Sequence, residues 1–413
     1  MGLVATFVAF VFLHSLISAR LERTVVTAPI LFTVGGVLTL FVLPELRDRS
    51  VGHETFLHVA EVGLVLLLFT DASRTDLRVL NDIRDLPARL LSVGMLLTIA
   101  LGILAARLVF PGLSIWEAGI LAAILAPTDA GLGQVIVNSP RVPMKIRQAL
   151  NVEAGLNDGL CVPFLLFFIA LAGEAASEGI SLTRFVVEQL GFGVLVGGGI
   201  GMVGGLLLGA AHRRKWTAHS WRQLGVVALP LSCLLASEEV GASMFIAAFV
   251  AGLTVQVGFK EAARHSVEFA EEWGQLCNLA VFFVFGLLVA RAWPQFEGRH
   301  VLYAVVSLTI VRMLPVAIAV AGTGLSRATV LFIGWFGPRG LASIVLCLVY
   351  LEQRAQHPGE ATVRLAVMMT VLLSIFAHGL SAMPGMAIYA RTVATLPPDA
   401  PELDDSGASG QVA

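Results

Sequence analysis

Charge is scarce in this chain of 413 residues: Asp, Glu, Lys and Arg together make up 14%, against 57% hydrophobic residues. A mean hydropathy of +0.84 is more apolar than a soluble domain of this length can place inside, so the chain is an integral membrane protein. There is no excess of positive charge. The net charge is −2, which gives no reason to expect nucleic acid as a partner. Cysteine is also sparse. Cys161, Cys233, Cys277 and Cys347 all lie in apolar segments with no CxxC or other metal spacing, and read as small core residues and not as a disulfide framework. No basic segment precedes the apolar start Met1–Ser18, so it reads as a retained first span and not as a cleaved signal. Met1-Gly2 with Thr6 fits a myristoylation start only formally, since a chain that spans the membrane does not need that anchor. Nothing implies an organic cofactor, a nucleotide or a permanently bound metal.

What is present is a series of apolar runs long enough to span as helices, thirteen in all. They lie at about 2–19, 27–44, 54–71, 86–110, 114–136, 150–173, 184–211, 222–238, 240–258, 275–291, 300–322, 327–351 and 362–385. Glu238-Glu239 is read as a tight turn between the eighth and ninth. The loops between spans alternate in basic residues, 17 on one side and 8 on the other, with Arg312 and Arg339 inside spans. That bias places the C-terminus in the cytoplasm and, with thirteen spans, the N-terminus outside. The tail from 391 to 413 is polar, acidic and free of Lys and Arg after Arg391, and is expected to be short and disordered.

Two spans are expected to be broken. The fifth carries Pro127-Thr128-Asp129 followed by Gly131 and Gly133, and the twelfth carries Gly334, Gly337, Pro338 and Gly340 around Arg339. They lie seven spans apart, an odd offset, so they cross the membrane in opposite senses. This is the pattern of inverted repeats, spans one to six matching eight to thirteen, and paired interrupted segments point to a transporter's midplane site.

The sixth span carries Glu153, Asn157 and Asp158. A charged side chain at a helix centre costs about 2.5 kcal/mol or more in a bilayer, so such residues line a pathway or pair with each other. Glu153 and Asn157, four apart, share one face, and Asp158 is rotated by roughly 100° from Asn157. An oxygen-rich site suits a hard cation such as Na⁺, and the same carboxylate can take a proton, which makes Asp158 the candidate for a group that alternates between the two. Thr128 and Asp129 would join it from the break in span five, with unwound carbonyls nearby; Asp129 is also well placed to cap the half-helix that follows. Glu153 is expected to form a buried ion pair with Arg339, because an arginine inside the membrane needs such a partner.

Other polar groups carry weaker readings. Glu61 and Asp71 in span three are candidates for a cation entrance, the alternative being a place near a span end or at a subunit contact. Arg312, before Pro315, reads as structural, binding a carboxylate or free carbonyls. His14, His58 and His378 read as packed histidines sooner than as pH sensors. Gly35-Gly36, Gly197-Gly198-Gly199 with Gly201, and Gly204-Gly205 read as close helix packing.

Taken together, Thr128-Asp129, Glu153 with Asn157-Asp158, Gly337-Pro338-Arg339-Gly340 and the stretch Leu68-Phe69-Thr70-Asp71-Ala72 resemble the monovalent cation:proton antiporters, in the sodium/proton exchanger branch that carries Asn-Asp. The resemblance covers residues 1 to about 390. It implies an all-α polytopic fold with crossing discontinuous helices, a homodimer in a cell membrane, and elevator-like movement of a core (about 86–173 and 300–385) against a dimer scaffold (about 1–85 and 184–291). It also implies that Asp158 carries cation or proton, aided by Asp129, Thr128 and Asn157, and that Glu153 pairs with Arg339. Relatives of this branch often have serine directly after the glutamate; here Ala154 stands there, so K⁺ stays open beside Na⁺ and Li⁺. With asparagine and not aspartate at 157, one titratable group remains in that pair, and the expected exchange is one proton for one cation, electroneutral. Two other classes compete. An intramembrane aspartyl protease would pair Asp129 with Asp158, but no Tyr-Asp or Gly-x-Gly-Asp pattern is present. A sodium-coupled organic-anion symporter would need a larger site.

Overall fold

The computed structural model describes residues 2–21, 24–43, 53–74, 85–137, 139–173, 190–259, 268–352, 358–397 and 399–403. No strand occurs among them. In chain order the helices are α1 (Gly2–Leu21), α2 (Ala28–Val42), α3 (His53–Arg74), α4 (Met95–Val109, preceded by Asp85–Arg89 and a π-helical turn, Leu90–Gly94), α5 (Ile115–Leu125), α6 (Ala130–Val137) and α7 (Met144–Ala172). There follow α8 (Phe192–Arg213), α9 (His219–Val240), α10 (Met244–Gly258), α11 (Glu268–Ala292), α12 (Gly298–Leu308), α13 (Ile310–Ala319), α14 (Arg327–Trp335), α15 (Leu341–Glu352) and α16 (Glu360–Val393). Eight helices among the described residues are long and apolar enough to cross a membrane, and four shorter apolar ones accompany them. The two broken spans account for part of the difference from thirteen runs: 114–136 is the pair α5 and α6, and 327–351 is the pair α14 and α15.

Both breaks have the local cause the sequence suggests. Helix α5 opens on a capping box, in which Ser114 Oγ accepts from Glu117 N and Glu117 Oε2 accepts from Ser114 N. It ends at Pro127, which has no N–H to continue the ladder. Helix α14 opens at Ser326, and its ladder stops at Phe336, followed by a non-helical segment, 336–340, through Gly337 and Pro338.

The chain packs as two compact units. The first holds residues 1–53, 78–157 and 279–413. It takes in the N-terminal helices. The reason is close packing of α2 on the second half of α11. A Cβ on Gly36 would meet the Phe283 carbonyl, a Cβ on Gly286 would meet that of Thr33, and the rings of Phe7 and Phe10 lie against Phe32 and Phe283. The second unit holds residues 54–77 and 158–278. There α8 presents Gly193, Gly197, Gly201, Gly205 and Gly209, all buried and four apart, to α10. A Cβ on Gly197, Gly201 or Gly205 would run into the backbone of Ala247, Ala251 or Val255, so small residues are what lets the two helices touch.

The acidic tail departs from expectation in its first part. Helix α16 continues to Val393, and 401–403 form a 3₁₀ turn in which Glu402 is buried. Residues 404–413, with Asp404-Asp405, lie outside the described residues, as do Arg23, Arg47, Arg49, Arg78, Arg84, Arg184, Lys260, Arg264 and Arg354 of the loops.

Candidate functional site

In the first unit the two breaks cross, and each supplies the groups the other lacks. A helix that stops inside a membrane leaves carbonyls at one end and N–H groups at the other without partners. At the C-terminal end of α5 the carbonyl of Leu125 accepts from Arg339 Nε at 2.7 Å, and that of Ile124 accepts from Ser343 Oγ at 2.8 Å. In return Asp129 serves both following half-helices. Its Oδ1 accepts from Leu132 N at 2.8 Å in α6, and its Oδ2 accepts from Leu341 N at 2.6 Å in α15. The Asp129 N–H donates to the Pro338 carbonyl at 2.8 Å. A Cβ on Gly340 would collide with the Asp129 carboxylate, so the approach needs glycine. Arg339 is fully buried; its guanidinium also bonds the Gly337 carbonyl, and its backbone N–H donates to Ser374 Oγ of α16 at 2.6 Å. The capping role weighed for Asp129 is thus seen, extended to a second helix.

The expected Glu153–Arg339 pair is corrected. Both Glu153 oxygens are taken by Arg312 of α13, NH1 to Oε1 at 2.6 Å and NH2 to Oε2 at 3.0 Å, with both side chains about 95% buried. The reason is the broken helix. Arg339 sits at the end of α5, where orphan carbonyls claim a cation at the negative end of the helix dipole. Arg312, on α13, is left to meet Glu153 as a two-pronged fork, the geometry guanidinium and carboxylate share.

Thr128 and Asn157 are brought together, with Asn157 Nδ2 donating to Thr128 Oγ1 at 2.7 Å. The buried Oδ1 of Asn157 has no hydrogen-bond partner among the described residues. Thr128 and Asp129 line a small cavity together with Gly133, Ile136, Val137, Leu150, Ala154, Phe336 and Pro338. Ala154 therefore faces the same space as the Thr128 hydroxyl, so the absent serine hydroxyl is absent from the cavity wall itself. Asp158 follows Asn157 on α7, half-buried, as the first residue of the second unit. Glu61 and Asp71 belong to the second unit on α3. Glu61 is buried and pairs with His58 Nδ1 at 3.3 Å, and Asp71 is half-buried.

Sequence reasoning missed Ser343 and Ser374, whose hydroxyls close the crossing; hydroxyls in otherwise apolar runs were the available signal. His378, buried, points Nδ1 at Ser374 and packs its ring on Trp335, in keeping with the packed reading.

Comparison with known proteins gives a consistent result. The chain is 25% identical over 391 residues to the K⁺/H⁺ antiporter NhaP of Alkalimonas amylolytica, covering 91% of this chain and 65% of that one. It is 27% identical over 273 residues to a Na⁺/H⁺ antiporter of Schizosaccharomyces pombe, covering 61% and 57%. The chain thus spans under two thirds of the length of these curated relatives. Its fold matches the solved sodium proton antiporter MjNhaP1 from Methanocaldococcus jannaschii with a TM-score of 0.72 at 19% identity, over 91% of this chain and 98% of that one. The profile described as "Sodium/hydrogen exchanger, transmembrane" matches residues 3–387, so this multi-pass membrane chain belongs to the sodium/hydrogen exchanger family.

Proposed function

We propose that the chain is a secondary antiporter that exchanges one monovalent cation for one proton, with Asp158 as the group that carries either. The observation that carries this reading is the crossing of two broken helices, held by Asp129 and Arg339, beside an asparagine whose buried amide oxygen is unsatisfied. Asn157, Thr128 and Asp129 supply oxygens of the kind a hard cation takes. One titratable carboxylate at positions 157–158 makes the exchange electroneutral, so it follows the concentration gradients and not the membrane potential. Glu61 and Asp71 are assigned to the cation's path of entry. The chain works as a homodimer in the cell membrane, N-terminus outside, with a moving core and a fixed scaffold built as inverted repeats.

Na⁺ and Li⁺ are the favoured cations. K⁺ is the second reading, and Ala154 on the cavity wall is what favours it: one oxygen fewer weakens a site most for the ion that needs tight coordination. The test is proton movement in sealed proteoliposomes with a pH-sensitive dye, adding Na⁺, Li⁺, K⁺ and choline in turn to wild type and Asp158→Asn. Cation-dependent proton efflux that vanishes in the variant is the expected result, and the ion ranking decides between the two readings. Folded protein that moves no protons with any cation, across a broad pH range, overturns the assignment in favour of an organic-anion symporter.

A further inference from the structure

The two half-helices that lead into the crossing are capped in different ways. Helix α5 is self-sufficient: its third residue, Glu117, returns a carboxylate oxygen to the N–H of the capping Ser114 at 2.7 Å, and its other oxygen holds Gly359 N at 2.7 Å. Helix α14 begins with the same residue type, Ser326, whose Oγ accepts from Thr329 N at 3.3 Å. But its third residue is Thr329, and threonine has no carboxylate to return. The N–H of Ser326 nevertheless donates to a carboxylate at 2.6 Å, that of Glu402, supplied by the tail.

The tail segment is built for this. Its backbone turns twice, Ala400 N to Pro397 O and Leu403 N to Ala400 O, which places Glu402 inward with 1% of its surface exposed. Glu402 Oε1 also accepts from the Thr329 hydroxyl at 2.9 Å, and that hydroxyl lies 2.9 Å from Tyr389 OH of α16. Pro401 lies over the loop before α14, where Gly324, in the left-handed region at φ 76°, leaves it space. Below the cap, the ring of Phe332 stacks on Tyr389 with centroids 4.1 Å apart. A carboxylate at a helix N-terminus satisfies an orphan donor and opposes the helix dipole's positive end.

We propose that Glu402 is a positioning residue for exchange: the C-terminal segment 399–403 completes in trans the capping box that α14 lacks, and so fixes the rod that carries 336–340 into the crossing. The path of the effect is short. Helix α14 runs from Arg327 to Trp335 behind its cap Ser326; the segment after it carries the Pro338 carbonyl that receives the Asp129 N–H, and leads into Leu341 of α15, whose N–H binds the Asp129 carboxylate. A loosened first turn of α14 costs the crossing its fixed geometry, and with it cation affinity, before it costs the fold. The transport part of this inference rests on the antiporter reading; the capping part does not.

The test uses the full chain and three variants, Glu402→Ala, Thr329→Glu, and the two combined. The combined variant returns a carboxylate to the space Glu402 leaves, in the position Glu117 occupies in α5. Hydrogen exchange at the Ser326–Val330 amides reads the cap; cation KM and maximal rate per folded protein in proteoliposomes read positioning. Expected for Glu402→Ala is faster amide exchange in that turn and a cation KM about five-fold higher, the factor corresponding to a typical lost helix cap, with maximal rate little changed. In the combined variant both values return toward wild type, while Thr329→Glu alone, with two carboxylates in one buried space, is impaired. Unchanged amide exchange in Glu402→Ala overturns the cap. Faster amide exchange with an unchanged KM, or a loss that follows folded fraction alone, overturns positioning and leaves the residue merely structural. If wild type exchanges no cation, the antiporter reading falls by that result, and the amide arm alone decides the cap.

Discussion

At the scale of single residues, the Glu153–Arg312 pair is the most costly to break. Removing one partner strands a buried charge, at about 3–5 kcal/mol, so Arg312→Ala should lower the thermal unfolding midpoint in detergent more than any substitution on the exposed face of α13. Replacing both partners with methionine should recover most of that loss, since the stranded charge goes with them. The need of Glu153 for an arginine was legible in the sequence. Which arginine was not, because the choice depends on where a broken helix leaves bare carbonyls, a property of the crossing and of no local pattern. Ala154 supports a second residue-scale expectation. Ala154→Ser places a hydroxyl on the cavity wall, and a polar contact with an ion, about 1.5 kcal/mol, should lower the KM for Na⁺ about ten-fold in the proteoliposome assay. Glu402 supports a third. Burial works to raise its pKa, but bonds from Ser326 N–H and the Thr329 hydroxyl outweigh this and hold it below the ordinary carboxylate value. A depressed pKa means a stabilising contribution complete above the ordinary value and lost as pH falls through the depressed one. The neighbouring titratable group is Tyr389, and Arg327 and Arg391 on the flanking helices are exposed. Protection of the amides in the first turn of α14, taken relative to the intrinsic exchange rate at each pH, should therefore fall only in acid, and Glu402→Gln should abolish that dependence.

At the scale of elements, α8 against α10 is a close fit along its whole length. Gly201→Leu or Gly205→Leu would press a side chain into the backbone of Ala251 or Val255, which costs about 1–3 kcal/mol when neighbours can shift and more where only backbone is met. A fall in unfolding midpoint with either, and little change for Gly199→Ala, which faces open space, is the expected pattern in a thermal scan. The glycine runs were readable as packing surfaces, since a four-residue spacing names its own face. The breaks were readable as well, because proline and glycine act on the backbone where they stand. The tail was not. Its composition is that of a disordered segment, and its order comes from Ser326 and Thr329, 76 and 73 residues away.

At the scale of the whole molecule, the family and the all-helical fold followed from a handful of polar residues in apolar runs, because each such residue has so few uses in a membrane. The grouping of α1 and α2 with the first unit did not, since close approach at Gly36 and Gly286 leaves no mark beyond small residues. The proposed electroneutral exchange supports one expectation here. In vesicles clamped with a K⁺ ionophore, Na⁺-driven proton efflux should not change rate when the membrane potential is reversed, whereas exchange of two protons per cation would accelerate in one direction.

The crossing also bears on how the chain is made. Leu125 waits for Arg339, Ile124 for Ser343 and Asp129 for Leu341, partners 214, 219 and 212 residues further along. During synthesis the first break therefore enters the membrane with bare carbonyls and with one oxygen of the Asp129 carboxylate unbonded, and stays so until α14 and α15 have emerged. A chain cut short anywhere before Gly337 holds that debt permanently. Such fragments should be cleared by membrane quality control even when most of their helices have already inserted.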